Sequence, residues 1–262
     1  MPELPEVENY RIYIEGTVLD CPISAIEVLD YRLIKKPEPA FQKALVNNKF
    51  ISTKRVGKYL FLLTTSDAIM VMHFGLTGNL EYFKDDEDRP KYAQVLLHFD
   101  NGFTLAYLSR RKFGWLDLTN SVEDFRKLKK LGKDATEVTF EEFYQPLRKS
   151  KAPIKPRLLD QKHFAGVGNW IADEILYQSQ IHPETRIDKL SETDFQLLYD
   201  KMQHILSVAL KHQAVFNKFP DYFLIHNRKD GGTCFHTGEE LVRLEVGGRG
   251  TFVSPKWQPI KT

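Results

Sequence analysis

Short apolar stretches broken by polar turns dominate the first 110 or so positions. Residues 23–34, 49–63, 67–74, 79–84, 92–100 and 103–108 are rich in Val, Ile, Leu, Phe and Tyr and are punctuated by Gly, Asp and Asn. That is the pattern of short strands. Asn101-Gly102, set between VLLHFD and FTLAYL, predicts a tight hairpin, and DDEDRP (85–90) reads as an exposed turn. Ahead of the strands, two prolines and then VENYRIYI predict a helix over 2–13, with the chain turning at Gly16. Near residue 120 the apolar spacing becomes helical. Helices are expected over 121–132, 139–150, 154–165, 169–180 and 191–213, the last opened by a capping box from Ser191 to Asp194. Gly166-Val167-Gly168 makes a tight turn between the third and fourth of these. After Pro220 the pattern returns to β, and 240–255 is a hairpin with a Gly-rich tip. The expectation is an α+β chain: one helix and a β-sandwich, a helical part, and a terminal hairpin. The domain boundary falls between 130 and 150.

Composition narrows the class. The chain has 262 residues, 42% hydrophobic and 27% charged, the mix of a globular protein with a proper core. No apolar run approaches the ~18 residues of a membrane span, so no membrane partner is expected. MPELPEVENY has neither a basic n-region nor an apolar h-region. An intracellular protein is expected, in cytoplasm or nucleoid if bacterial and in the nucleus if eukaryotic. Cys21 and Cys234 are the only cysteines, which excludes a disulfide framework and any zinc site built from four thiolates. The net charge of +2 says little, but 148–163 holds six Lys/Arg against one Asp. Such a run can meet phosphates or serve as a solvated linker, and both readings stand.

The first residues carry candidate chemistry. Once Met1 is removed, Pro2 presents a secondary amine, and an α-amino group has a pKa of about 7.7–8.0, well below that of lysine. Such an amine attacking an aldehyde-level carbon gives an iminium ion directly, an electron sink for elimination. Glu3 and Glu6 are near enough in sequence to act as general acid or base. Taken alone, Pro-Glu at a helix start is equally an ordinary first turn.

Six ordered segments supply context: PELPEVEN (2–9), KRVGKYL (54–60), VMHFGLTG (71–78), RRKFG (110–114), LLDQKHFAGVGNWIADEILYQSQIHP (158–183) and GGRGTFVSPKWQ (247–258). Together they resemble the Fpg/Nei family of DNA glycosylases, the formamidopyrimidine-DNA glycosylase and endonuclease VIII group. The resemblance implies a two-sheet β-sandwich with its N-terminal helix over 1–132, a linker region over 133–152, a helix-two-turn-helix domain over 153–222 and a finger hairpin over 223–262. It makes Pro2 the nucleophile and Lys58 the family's catalytic lysine, with Glu3 the better candidate for the acid. His73, Lys155, Asn169 and Arg249 become DNA contacts; apart from the resemblance, Asn169 reads as a plain N-cap of its helix, a role compatible with a phosphate contact. Leu76, Arg111 and Phe113 become the wedge that fills the hole left by an extruded nucleotide. The implied partner is damaged double-stranded DNA, bound by a monomer in the cleft between the two domains, with no cofactor. The implied reaction removes oxidised bases (formamidopyrimidines, hydantoins, oxidised pyrimidines) and cuts the strand by β,δ-elimination.

The departures are as informative as the matches. The family's finger normally carries two Cys-x-x-Cys pairs on zinc. Here Cys234 is followed by Thr237, and Ser254 and Trp257 occupy the later pair. One thiol cannot hold tetrahedral zinc, so a zincless finger is expected, held by packing of Phe252, Val253 and Trp257. Residues 214–232 lack the Gly/Thr-rich stretch that caps 8-oxoguanine in bacterial members, which weighs against strong excision of that base. In the wedge loop Lys112 replaces an arginine, and Ser109-Arg110 replace Asp-Pro. Two other functions stay open: a lyase acting mainly on abasic sites, and a non-catalytic binder of damaged DNA.

Overall fold

The structure, a computed structural model, describes residues 1–84 and 89–261, so residues 85–88 of the expected exposed turn lie outside the described residues. The chain forms two compact units, Met1–Lys129 and Lys130–Thr262.

In the first unit, α1 (Leu4–Glu15) begins at a reciprocal capping box between Glu3 and Glu6 and buries Leu4, Pro5, Val7 and Ile14. The strands are β1 (Ile23–Val28), β2 (Phe50–Val56), β3 (Tyr59–Thr64), β4 (Ile69–His73), β5 (Gly78–Phe83), β6 (Ala93–Phe99), β7 (Thr104–Ser109) and β8 (Trp115–Thr119); α2 (Glu38–Leu45) and α3 (Val122–Lys129) complete the unit. They form two four-stranded sheets, ordered β1-β6-β7-β5 and β2-β3-β4-β8, with antiparallel pairing throughout. Strand side chains alternate between faces. Leu60, Leu62, Met70 and Met72 of one sheet therefore share a core with Ile26, Val28, Val95, Leu97 and Leu105 of the other. On the outer face Phe61 is covered by Phe125 of α3, ring centroids 5.4 Å apart.

The sandwich and the Asn101-Gly102 hairpin are as expected, with Gly102 at φ +81°. Three local features differ. The first strand stops at Val28, because Asp30 caps a 3-10 turn over Tyr31–Leu33. The stretch 49–63 is two strands that turn at Gly57-Lys58. Helix α2 had no counterpart in the pattern: Pro37 and Pro39 look like breakers, yet they occupy the N-cap and the first turn, where a missing N–H costs nothing.

The second unit contains β9 (Lys133–Asp134), α4 (Phe140–Leu147), α5 (Ile154–Leu158), β10 (Phe164–Ala165), α6 (Asn169–Gln178), α7 (Glu192–Lys211), β11 (Val242–Val246) and β12 (Arg249–Val253). Residues 133–152 are not a linker. Lys133–Asp134 pair in parallel with Phe164–Ala165, and Phe143 of α4 is fully buried. The helix expected over 154–165 ends at Leu158. After it, Gln161 staples the two-turn segment: its Nε2 donates to the carbonyls of Leu159 and Val167, and its Oε1 accepts from Gly166 N–H. The capping box at Ser191 and Asp194 is present.

The terminal hairpin shows what stands in for the metal. Its positions 234, 237 and 254 converge: Ser254, Thr237 and Tyr177 all hydrogen-bond the Cys234 sulfur, with Tyr177 Oη at 3.2 Å. Burial pushes the thiol up, and those hydrogen bonds more than offset it, leaving it lowered. One thiol and two hydroxyls are not a zinc donor set. Trp257, at the fourth position, stacks on His236 at 4.0 Å and donates its indole N–H to the Tyr177 carbonyl at 3.0 Å. Phe252 joins the same cluster with Tyr177, Leu224 and Leu241, and Val253 is fully buried. Trp257→Ala should lower the stability of the second unit by about 2–4 kcal/mol, and a chelator should leave the wild-type unfolding midpoint unmoved. Both are read by thermal denaturation; a midpoint that falls on chelation would contradict the packing account.

Candidate active site and nucleic-acid interface

The chain terminus is held rather than frayed. Pro2 is half-buried and Glu3 is 2% exposed at the N-cap of α1. Glu6 accepts a hydrogen bond from the Glu3 backbone N–H at 3.1 Å, which orients the carboxylate pair about the first turn. Lys58 sits at the tip of the β2–β3 hairpin, after Gly57 at φ +57°, a conformation that suits glycine at a two-residue turn. That tip is tied to α1. Arg55 donates Nε to Glu8 Oε2 at 2.9 Å and Nη1 to the Gly57 carbonyl at 3.2 Å. Burial pushes the Glu8 carboxyl up, but Arg11 and Arg55 outweigh it and leave Glu8 below its ordinary range. Pro2, two carboxylates and a lysine are thus mounted on two elements joined by the Glu8–Arg55 ion pair and by Thr53 Oγ1 donating to Glu15 at 2.6 Å.

The wedge candidates lie on two loops in backbone contact. Gly75 has φ +56°, and a Cβ there would run into the backbone of Phe113 and Gly114. Any side chain at 75 would force the loops apart. The Arg111 N–H donates to Thr77 Oγ1 at 3.0 Å, and the Arg111 guanidinium lies 5.3 Å from the Phe113 ring centroid. Phe113 is 57% exposed, too much for a core residue, whereas Leu76 is half-buried. Between Arg111 and Phe113, Lys112 has φ +58°, which costs a non-glycine residue about 1 kcal/mol. Its Nζ is 2.7 Å from Asp30 Oδ2. Arg111 and Phe113 are thus presented outward from a braced loop. The same region anchors α1: Tyr10 Oη donates to the Gly78 carbonyl at 3.0 Å, and its ring stacks on Phe74 at 4.2 Å.

His73 is directly opposite Tyr59 and Trp115 in its sheet and stacks on Trp115 at 5.3 Å. Its Nδ1 is buried without a hydrogen-bond partner. Burial, and then the charges of Lys58, Lys129 and Lys35, push the imidazole down to about 4, so it is neutral at pH 7.

The second unit gathers the remaining candidates. Asn169 is the first residue of α6, and its cap is Gly168, so the expected capping role is corrected. Asn169 instead donates Nδ2 to the Gly250 carbonyl at 2.8 Å, tying the helix start to the hairpin. Gly247 and Gly248, at φ +59° and +72°, make the tip, and Arg249 follows them, exposed. Lys155 differs most from expectation. It is fully buried rather than facing phosphate. Its ammonium is 2.7 Å from Asp173 Oδ1 and donates to Thr251 Oγ1. Arg228 meets the other Asp173 oxygen at 2.6 Å and reaches the Gly250 carbonyl at 3.4 Å. Burial raises the Asp173 carboxyl, and the two cations oppose that rise. Sequence reasoning missed Asp173 and Arg228. The available signal was the four-residue spacing from Asn169 to Asp173, which places both on one helix face. It also missed Glu174, whose carboxylate accepts from the N–H groups of Leu224 and Ile225 at 3.0 and 3.1 Å. Burial pushes that carboxyl up to about 7.

Comparison with known proteins agrees with this layout. Residues 1–116 match the formamidopyrimidine-DNA glycosylase N-terminal domain, and residues 131–220 match the H2TH domain of the same enzymes. Among curated relatives, the formamidopyrimidine-DNA glycosylase of Ligilactobacillus salivarius is 35% identical with both chains fully covered. That of Arabidopsis thaliana is 34% identical over 99% of this chain and 71% of its own. Among solved structures, the Lactococcus lactis enzyme bound non-covalently to DNA containing an AP site superposes with a TM-score of 0.89 at 31% identity, covering 98% of this chain and 100% of that one. The same enzyme with DNA containing N7-benzyl-Fapy-dG gives 0.89 at 30% identity, with the same coverage.

The depressed histidine has a measurable consequence. An unfolded histidine protonates near pH 6.5, and His73 in the fold only near 4. Between those values the unfolded state binds more protons, so stability falls as pH falls through that window. From pH 7 to 4.5, wild type should lose about 2 kcal/mol more than His73→Phe, which lacks the titrating group. Denaturant melts at both pH values measure the difference; equal losses would contradict the buried neutral imidazole.

Proposed function

The chain belongs to the formamidopyrimidine-DNA glycosylase (Fpg/Nei) family, a DNA glycosylase of base excision repair, and on that premise we propose that it is bifunctional, excising oxidised bases and cutting the strand through an imine on Pro2. The observation that carries the reading is the held terminus: a half-buried Pro2 beside a buried Glu3, with α1 locked by its capping box. Met1 is 49% exposed and open to removal; with it in place the Pro2 nitrogen is an amide and has no lone pair to use.

In the proposed reaction the Pro2 nitrogen forms a bond to C1′ of the extruded nucleotide and loses its proton. The glycosidic C–N bond breaks, and the base leaves with the electron pair and takes up a proton. Breaking C1′–O4′ gives the iminium, with Glu3 supplying the proton to O4′. The iminium acidifies C2′–H, and loss of that proton breaks C3′–O3′. A second elimination, with loss of the C4′ proton, breaks C5′–O5′ and releases the phosphate. Lys58, on the hairpin tip braced by Arg55, supplies a positive charge for the leaving phosphate. Leu76, Arg111 and Phe113 occupy the vacated stack, with Arg111 donating to the orphaned base. Asn169, Arg249 and the α6 N-terminus grip phosphates, and Lys155 supports that grip from beneath the hairpin. The enzyme acts on damaged duplex DNA as a monomer and needs no cofactor.

One observation favours a narrower reading, an abasic-site lyase with weak base excision. The segment after α7 is tied down on α6, by Glu174 to Leu224 and Ile225 and by Trp170 against Phe216 at 5.5 Å. Borohydride trapping on duplexes separates the readings. The bifunctional enzyme should give adducts on an abasic site and on formamidopyrimidine, hydantoin or oxidised-pyrimidine lesions, and little on 8-oxoguanine. Pro2→Gly should abolish the adducts while binding stays within a few-fold. Adducts on the abasic site alone would leave the lyase. None anywhere, from protein lacking Met1, would leave a non-catalytic binder.

A further inference from the structure

In the wedge loop Lys112 turns its charge toward a carboxylate of the same unit. Its Nζ lies 2.7 Å from Asp30 Oδ2 although its side chain is 40% exposed, and the residues on either side, Arg111 and Phe113, are exposed as well. Asp30 is a firm anchor. It caps the Tyr31–Leu33 turn by accepting from the Arg32 N–H at 3.1 Å, and Arg32 grips it bidentately, Nε to Oδ1 at 2.9 Å and Nη2 to Oδ2 at 2.6 Å. Arg32 first, and Lys112 with it, hold the Asp30 carboxyl well below its usual range, so it stays charged at any working pH. With both forks of the carboxylate taken by a guanidinium, the remaining space on Oδ2 suits a compact ammonium. Lys112 itself has a left-handed backbone, φ +58°, which a lysine does not choose unless its surroundings hold it there. The N-terminal side of the loop is held independently, by the Arg111 N–H on Thr77 and by the Arg110 guanidinium 5.9 Å from the Tyr92 ring, and its C-terminal side abuts the Gly75 backbone at Phe113 and Gly114. The Lys112–Asp30 pair acts at the apex, between the two outward-facing side chains.

We propose that Lys112 is a positioning residue: its ion pair with Asp30 holds the apex of the 110–114 loop in the left-handed turn that presents Arg111 and Phe113 together, so that the wedge enters the stack already formed. This rests on the wedge assignment made above, but not on any chemical step. Lys112 therefore does not contact phosphate. Removing Asp30 must slow wedge entry at least as much as removing Lys112, because either change frees the apex and losing Asp30 also uncaps the Tyr31–Leu33 turn. A lysine that bound DNA directly would behave oppositely, since losing Asp30 would release its charge toward the DNA.

The test uses the full chain and a duplex with a tetrahydrofuran abasic analogue opposite 2-aminopurine, whose fluorescence reports wedge entry without any reaction. Stopped-flow mixing should show entry slowed about fivefold in Lys112→Ala and at least as much in Asp30→Ala. The double variant should be no slower than Asp30→Ala, and Lys112→Arg should stay within about twofold of wild type. Trapping of Asp30→Ala on a single-stranded abasic oligonucleotide, where no stack needs filling, should match wild type and certifies that the variant is folded. Slowing in Lys112→Ala with Asp30→Ala unchanged or faster would overturn the proposal in favour of direct DNA contact. Additive losses in the double variant would also overturn it. A wild-type protein that gives the fluorescence change but traps nothing would count against the catalytic reading and leave this one standing.

Discussion

A nucleophile at the end of a chain faces one overriding constraint: termini are the least ordered part of most domains, and an amine that wanders cannot meet a carbon in a defined geometry. Everything in the first unit that bears on chemistry follows from meeting that constraint. The capping box of Glu3 and Glu6 starts α1 immediately after Pro2, and Leu4, Pro5 and Val7 bury the first turn. The helix is then fixed from two sides, through Glu8–Arg55 to the hairpin that carries Lys58, and through Tyr10 to Phe74 and Gly78 beside the wedge loop. Pro2, proposed as nucleophile, Lys58 and the loop proposed as wedge are therefore referenced to one helix rather than to one another across flexible chain.

The second unit solves a comparable problem with one buried carboxylate. Asp173 holds Lys155 from α5 and Arg228 from the segment after α7, and both cations touch residues of the hairpin. Two cations on one carboxylate leave a net positive charge under the Asn169–Gly250 contact, a favourable background for phosphate outside. A buried pair of this kind costs more to break than it contributes to stability, so its value lies in fixing where the hairpin sits. The sulfur and hydroxyl cluster around Cys234, with the His236–Trp257 stack, takes over the remaining task of closing the finger.

Much of this was legible in the residue pattern. The Asn101-Gly102 hairpin and the Ser191–Asp194 box are local signals with local causes, and each is present where it was expected, as are most of the strands. The missing zinc ligands were equally plain, because they are a matter of identity rather than position. What escaped was set by partners distant in sequence. Nothing local distinguishes Lys155 from the other cations of 148–163; only Asp173, on another helix, draws it inside. Asp30 and Lys112 meet across 82 positions of sequence. Helix α2 was hidden because its prolines are disruptive inside a helix and harmless at its start. The site residues could be named, but which of them face outward and which act as struts was decided by tertiary pairing.

The central claim is that the reactive amine belongs to Pro2. The most direct measurement is to digest the borohydride-trapped complex with trypsin and locate the sugar remnant by tandem mass spectrometry. The account predicts the remnant on the nitrogen of Pro2, within the peptide running to Arg11. A remnant on Lys58, or on any other lysine, with the Pro2 peptide recovered unmodified, would contradict it.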